Sequence, residues 1–207
     1  MDTALDWYFD VVSPFSWFAL QRLDALPSEP ALHPVVLGAV LSHWGQKGPA
    51  EIPGKRLWTY RVCVRYAQTH GIPLRFPAAH PFNPVPYLRL AVAAGCGRRV
   101  VHHVFEYLWT TGVDPRTEAA VAGAAERLGV SVDAAGEASV RARLRSETAA
   151  AIERGVFGVP TLAVGDELFW GNDGMDFALA YLAEPAVLDT AEMRRVAALP
   201  DGLADRG

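Results

Sequence analysis

Hydrophobic positions at the start of the chain change from a continuous run to a helical period and back. Residues 5–12 are almost all apolar, which predicts a buried strand. In residues 14–26 apolar positions recur at helical spacing, and the proline pair in residues 27–30 ends the predicted helix. Residues 32–37 predict a second strand. Together they predict a βαβ unit with parallel strands.

The middle of the chain has a different pattern. Residues 55–66 and 86–108 have helical periods, and two alanine-rich segments, residues 118–128 and 139–154, continue the helical character. Few strand-like segments occur between residues 39 and 155. We therefore expect a long helical block between two sheet-forming parts.

The end of the chain returns to sheet. Residues 161–164 and 167–170 are short apolar runs, and Gly165-Asp166 between them predicts an antiparallel hairpin. A helix over residues 176–183 follows. The predicted domains are a discontinuous sheet domain, residues 1–40 and 155–185, an inserted helical domain, residues 41–154, and a C-terminal tail, residues 186–207, whose last part from residue 199 suggests disorder.

Composition narrows the class of protein. The chain has 207 residues, is 51% hydrophobic and carries a formal net charge of −4, so no basic field attracts nucleic acid. We expect no membrane span, no secretory signal and a cytoplasmic location. Cys63 and Cys96 form no C-x-x-C or zinc pattern and are expected to be free buried thiols. His102-His103 with Glu106 lack ligand spacing, so no metal is expected.

Ser13-Pro14 lies between the predicted first strand and the predicted first helix. Serine is a preferred N-cap and proline suits the first helical position, so a plain helix start is one interpretation. The other is a binding site, because a hydroxyl beside free backbone N–H groups can hold an anion or a thiolate.

Val159-Pro160 precedes the third predicted strand. Proline is tolerated at a strand start, which is the simpler interpretation. The functional interpretation is a cis peptide bond that leaves the Val159 N–H and carbonyl free to pair with an extended peptide.

Four segments carry a resemblance to a known family: residues 9–17, Phe76-Pro77 with residues 80–84, residues 157–161 and residues 169–173. Together they resemble the 2-hydroxychromene-2-carboxylate isomerases, relatives of the kappa-class glutathione transferases. Ser13-Pro14-Phe15-Ser16 falls where DsbA-type oxidoreductases carry Cys-Pro-x-Cys. The resemblance implies an α/β, thioredoxin-like fold with a large helical insertion, of the DsbA/kappa glutathione transferase type.

The resemblance also implies a cofactor, glutathione or another low-molecular-weight thiol, and a role for each matching residue. Ser13 would donate a hydrogen bond to the cofactor sulfur, and Val159 before Pro160 would pair with the cysteinyl backbone. Asn172 and Asp173 would hold the γ-glutamyl end.

The resemblance implies two further cofactor-binding positions, Lys55 and Gln46, and this sequence departs from the family pattern at two others, Val62 and Gly174. By the resemblance, Lys55 would pair with a carboxylate of cofactor or substrate, although a solvated surface charge is its simpler interpretation. Gln46 stands where the family usually has asparagine. Val62 and Gly174 stand where the family often has aspartate and arginine.

The expected substrate is a small aromatic conjugated carbonyl compound, and family members are commonly homodimers. Most aromatic residues of the helical block are expected in the core, with a few lining an apolar pocket: Trp44, Trp58, Tyr60, Phe82 and Trp109. The leading function is a glutathione-dependent isomerase. The alternatives are a kappa-class-like transferase, a tailoring enzyme of secondary metabolism, and a non-catalytic peptide-binding module.

Overall fold

A computed structural model describes residues 3–200 and residue 202. In that part of the chain four strands form one mixed sheet in the order β2-β1-β3-β4. The strands are β1 (Leu5–Phe9), β2 (Ala31–Pro34), β3 (Thr161–Val164) and β4 (Glu167–Trp170). β1 pairs with β2 in parallel and with β3 in antiparallel fashion, and β3 and β4 form an antiparallel hairpin. The predicted βαβ unit and hairpin are confirmed.

Nine helices accompany the sheet in the described residues. They are α1 (Pro14–Leu20), α2 (Leu37–His43), α3 (Pro53–His70), α4 (Val85–Ala93), α5 (Arg98–Thr110), α6 (Glu118–Leu128), α7 (Ala138–Glu153), α8 (Gly171–Ala183) and α9 (Ala191–Ala197). Helices α2 to α7 all lie between β2 and β3 along the chain. This arrangement confirms the thioredoxin-like fold with a large helical insertion.

Strand β1 is buried on both faces of the sheet. Trp7 and Phe9 belong to the larger apolar core, where the Phe9 ring lies 5.9 Å from the ring of Phe105 on α5. Tyr8 faces the opposite side and packs with Ala151 of α7. Because side chains alternate along a strand, a strand covered on both faces has the continuous apolar run found at the start of the sequence.

The first strand and second strand are shorter than predicted. β1 ends at Phe9 rather than at residue 12, because the Asp10 carboxylate accepts the Val12 N–H at 3.0 Å and turns the chain. β2 ends at Pro34 rather than at residue 37, since Leu37 already begins α2 with its N–H bonded to Asp10.

Two predicted helices differ from the observed ones. α1 ends at Leu20 rather than at residue 26, and a 3-10 turn over Leu23–Ala25 carries the apolar pattern onward. The segment 86–108, for which helical periods were predicted, forms two helices, α4 and α5. Gly95 and Cys96 between them have φ values of 92° and 55°, in the left-handed region that no helix continues through.

The C-terminal part holds more helix than expected. α8 begins at Gly171, not at residue 176, because Gly171 has a φ of 92° that turns the chain from β4 directly into the helix. The expected tail contains α9. The disorder suggested from residue 199 onward falls mostly on residues 201 and 203–207, which lie outside the described part. Among the described helices, none has both the length and the apolar character to cross a membrane.

The aromatic residues of the helical insertion divide between core and surface. Phe82 and Trp109 are buried as expected. Trp44 and Trp58 were expected mostly in the core, but they are 45% and 67% exposed. Helix α3, which carries Trp58, buries only Cys63 and Ala67. One strip of that helix contacts the rest of the molecule, and its first turns extend over solvent.

Candidate functional site

Ser13 is the N-cap residue of α1. Its Oγ accepts the Ser16 peptide N–H at 3.2 Å, and Pro14 follows at the first helical position. The residue is buried, with 6% exposed. No acceptor for the Ser13 hydroxyl proton occurs in the described chain. The cap interpretation is therefore correct, and it leaves the hydroxyl proton free for donation to a ligand.

The chain's own sulfur atoms cannot replace the missing Cys-Pro-x-Cys thiols. Cys63 and Cys96 are free and buried, as expected, and burial raises the pKa of each thiol to about 12. Neither is a thiolate near neutral pH. Ser16, at the second position of the motif, is fully buried, and its Oγ has no hydrogen-bond partner in the described residues.

The loop that leads into Ser13 is held from two sides. The Ser13 N–H donates to the Asp10 carbonyl at 3.0 Å, inside the loop. From the helical insertion, the Trp109 indole N–H donates to the Val11 carbonyl at 2.9 Å, and His80 Nε2 lies 2.8 Å from the Val12 carbonyl. The insertion thus fixes the two peptides before Ser13.

Asp10 lies under this loop and is fully buried. Desolvation raises the pKa of its carboxyl to about 7, although hydrogen bonds from the Val12 and Leu37 N–H groups oppose that shift. Sequence reasoning gave Asp10 no role. An acidic residue that directly follows a buried apolar strand was the signal that could have found it.

Val159-Pro160 is a cis peptide, as the functional interpretation expected. Tyr8 pairs with Thr161 in the antiparallel register, so the residues after Tyr8 and those before Thr161 leave the sheet at the same end of the strands. Pro160 and the Ser13 loop therefore lie at that end of the sheet. The N–H and carbonyl of Val159 have no hydrogen-bond partner within the described residues.

Helix α8 begins at the same end of the sheet, since Gly171 donates its N–H to the Pro160 carbonyl at 2.8 Å. Asn172 is buried, and its side-chain Oδ1 has no partner among the described residues. Asp173 is exposed in the first turn. At Gly174 a Cβ atom would lie 3.1 Å from the backbone of Phe169, so this position lies in close contact with the end of β4.

A cavity of about 430 Å³ opens beside the start of α8. Asn172 and Asp173 line it together with Gln21 and with Tyr66 and His70 of α3. Ser13, Lys55, Gln46 and Val159 are not among its lining residues. The cavity thus contains only the part of the predicted site that was assigned to the γ-glutamyl end.

Lys55 and Gln46 are exposed, and among the described residues neither forms a hydrogen bond or ion pair with another predicted site residue. Lys55 lies in the first turn of α3, whose Tyr60 reaches His80 and whose Tyr66 packs against Phe18 of α1 at 4.8 Å. Helix α3 therefore runs along α1, with Lys55 toward the Ser13 end. Gln46 follows α2, and its N–H bonds the Leu41 carbonyl.

Three residues of this site have no predicted role: Asp10, His80 and Trp109. His80 and Trp109 reach the loop from positions 68 and 98 residues away along the chain. No local pattern indicates such contacts, because they depend on how the insertion folds back over β1.

Comparison with known proteins identifies the class. The family model for the DSBA-like thioredoxin domain matches residues 4–183, which is most of the chain. This match agrees with the strand order and with the position of the serine motif after β1.

Individual relatives within the DSBA-like thioredoxin class show which family the chain belongs to. A 2-hydroxychromene-2-carboxylate isomerase of Pseudomonas putida is 38% identical over 187 residues, covering 82% of this chain and 89% of the relative. A solved structure of a 2-hydroxychromene-2-carboxylate isomerase has a TM-score of 0.74 and 30% identity, covering 92% of this chain and 98% of that one. The chain belongs to the family of the 2-hydroxychromene-2-carboxylate isomerases. Rat glutathione S-transferase kappa 1 is 24% identical, covering 86% of this chain and 89% of the relative.

Proposed function

We propose that this protein is a glutathione-dependent isomerase of a small aromatic substrate whose ring-opened form has a conjugated carbonyl group, as 2-hydroxychromene-2-carboxylate does. The observation that carries this proposal is the buried Ser13 hydroxyl, whose proton has no acceptor in the described chain. This hydroxyl lies at the end of the sheet where the N–H and carbonyl of Val159 are also unpaired in the described residues. The isomerase relatives support the reaction type.

Ser13 makes a bound sulfur nucleophilic by donating to it. A hydrogen bond to a charged group contributes roughly 1.5–3 kcal/mol. At about 1.36 kcal/mol per pKa unit, this lowers the pKa of a bound thiol by about one to two units. A thiol with an ordinary pKa of about 8.5 is then about one quarter to three quarters ionised at pH 7.

Other residues hold the tripeptide and the substrate. The Val159 N–H and carbonyl pair with the cysteinyl residue in the manner of an added strand. Asn172 Oδ1 and the Asp173 carboxylate accept from the γ-glutamyl ammonium. Lys55 pairs with a carboxylate and Gln46 with an amide of the cofactor or substrate.

When bound, the thiolate would supply reversible addition to a conjugated carbon of the ring-opened substrate, which would let the former double bond rotate as a single bond before the sulfur leaves. The electron pair that moves to the carbonyl oxygen on addition returns on elimination. No net oxidation occurs, so two serines in place of the redox cysteines suit this reaction.

A transferase reaction is the second candidate, favoured by the similarity to rat glutathione S-transferase kappa 1. Both reactions begin from the same thiolate, but in conjugation the sulfur stays attached. Product mass separates them, because an isomer keeps the mass of the substrate and an adduct does not.

We also propose that the protein is a homodimer and is located in the cytoplasm.

Isothermal titration with glutathione tests the cofactor site without knowledge of the substrate. We expect saturable binding of glutathione and at least tenfold weaker binding of S-methylglutathione, because the methyl group removes the thiolate that Ser13 stabilises. Equal affinity for both compounds, or no binding, would refute the proposal. Other low-molecular-weight thiols, titrated in parallel, identify the physiological cofactor by their affinities.

A further inference from the structure

The His80 imidazole is held at both ring nitrogens. Nε2 lies 2.8 Å from the Val12 carbonyl oxygen, and Nδ1 lies 2.8 Å from the Tyr60 hydroxyl. A carbonyl oxygen only accepts, so Nε2 carries the hydrogen of the neutral ring. Nδ1 is then an acceptor, and the Tyr60 hydroxyl donates to it. The Val12 carbonyl thereby fixes the tautomer, and Tyr60 holds the opposite side of the ring in place.

Tyr60 also has a second acceptor in reach, the His80 carbonyl oxygen, at 2.8 Å. If Nδ1 gains a proton, it donates to the Tyr60 oxygen while the Tyr60 hydroxyl turns to that carbonyl. The Nε2–H bond to Val12 is the same in both states. The pair therefore keeps its hold on the loop whichever protonation state His80 adopts.

Aromatic rings enclose His80. The rings of Phe76, Phe82 and Trp109 lie 6.1, 6.2 and 5.4 Å from it, all steeply inclined to its plane. Burial lowers the pKa of His80, and the nearby Arg56 guanidinium lowers it further, while the bond to Val12 opposes this. Around the pair, the titratable and charged groups are Arg56 and Cys63 of α3.

We propose that His80 is a positioning residue for Ser13, and that Tyr60 sets the His80 ring for this task. Val12 immediately precedes Ser13, so the bond from His80 fixes the peptide that orients the Ser13 hydroxyl. The insertion, through Tyr60 on α3 and His80 after it, thereby directs the hydroxyl toward the bound sulfur. This inference rests on the proposed thiol-dependent function.

The test measures the pKa of the bound glutathione thiol by following ultraviolet thiolate absorbance with pH. Replacing His80→Leu removes the donor to Val12, and we expect the bound thiol pKa to rise by about one unit, a loss of up to tenfold in thiolate at neutral pH. His80→Gln keeps an N–H donor and should restore most of the shift. Tyr60→Phe removes the second hydrogen bond that orients the His80 ring and should raise the pKa of the bound thiol by less than His80→Leu does.

Tyr107→Phe is the matched control, because the Tyr107 hydroxyl makes no hydrogen bond in the described chain and lies on α5. Its bound thiol pKa should equal that of wild type. If His80→Leu does not fold, Tyr60→Phe still carries the test, since it removes a single hydroxyl.

Three outcomes separate the claims. A wild-type protein that does not bind glutathione would overturn both the proposed function and this inference. Normal binding with the same thiol pKa in wild type, His80→Leu and Tyr60→Phe would overturn the positioning role alone. A merely structural His80 would lower the free energy of unfolding in His80→Leu and leave the thiol pKa unchanged.

Discussion

The Asp10 carboxylate accepts a hydrogen bond from the Leu37 peptide N–H at 2.8 Å, across 27 positions of the chain. Its other oxygen accepts from Val12, immediately before Ser13. One buried carboxyl group thus joins the Ser13 loop to the first turn of α2. It takes the place of a side-chain cap, since Val36 at the N-cap of α2 offers none.

Asp10 should make stability depend on pH. Its pKa rises from 3.8 to about 7 on folding, so between these values the folded protein binds more protons than the unfolded chain. Its contribution to the free energy of unfolding therefore falls as pH rises through that window. Asp10→Asn does not titrate. We expect the stability of wild type relative to Asp10→Asn, measured by urea denaturation, to decrease from about pH 4 to about pH 7; a constant difference would contradict this.

The contribution of His33 to the free energy of unfolding should also fall as pH rises, because its pKa too is raised on folding. Its ring bonds Glu147 of α7 at 2.7 Å and Asp6 of β1 at 2.9 Å, and these contacts raise its pKa, with the Glu147 bond the largest cause. A raised histidine pKa stabilises the fold below the unfolded value and ceases to do so above the folded value. His33→Gln should therefore cost about 1–2 kcal/mol near pH 6 and less near pH 9.

The matched control for that experiment is His43→Gln. His43 is an exposed histidine at the end of α2, outside any ion pair of the described residues. His43→Gln removes no ion pair and should change the free energy of unfolding by less than about 0.5 kcal/mol. An identical loss in His33→Gln at both pH values would mean that packing, such as the stacking of His33 on Tyr8, accounts for the effect.

Asp173 should distinguish glutathione from its truncated form. If its carboxylate accepts from the γ-glutamyl ammonium, Asp173→Asn should weaken glutathione binding about tenfold. Binding of cysteinylglycine, which lacks the γ-glutamyl residue, should not change. Asp166→Asn is the control, because it removes the same charge from the β3–β4 turn at the opposite end of the strands. An equal loss of affinity for both thiols in Asp173→Asn would argue against this contact.

The sequence predicted the parts of the fold that depend on local pattern. The strand before Ser13 and the Gly165-Asp166 hairpin follow from apolar runs and turn residues, and both were confirmed. Periodicity failed where apolar residues continue through a break. Gly95 and Cys96 interrupt a helix in the left-handed conformation, although the apolar spacing on either side continues.

Within the site, sequence reasoning found residues next to recognisable motifs and missed those that reach it from elsewhere. Ser13 follows β1 and Pro160 precedes β3, and the antiparallel pairing of these two strands brings both residues to one end of the sheet. His80 reaches Val12 only because the insertion folds back over β1. Trp58 belongs to the aromatic residues of which most were expected in the core and a few in a pocket, yet it is exposed on helix α3.

The central claim is that the Ser13 hydroxyl donates to the sulfur of a bound thiol. Its most direct test compares the pKa of bound glutathione in wild type and Ser13→Ala by pH titration of thiolate absorbance. We expect wild type to lower the thiol pKa by about one to two units from that of free glutathione, and Ser13→Ala to lose most of that shift with about tenfold slower turnover. The same bound thiol pKa in both proteins would contradict the account.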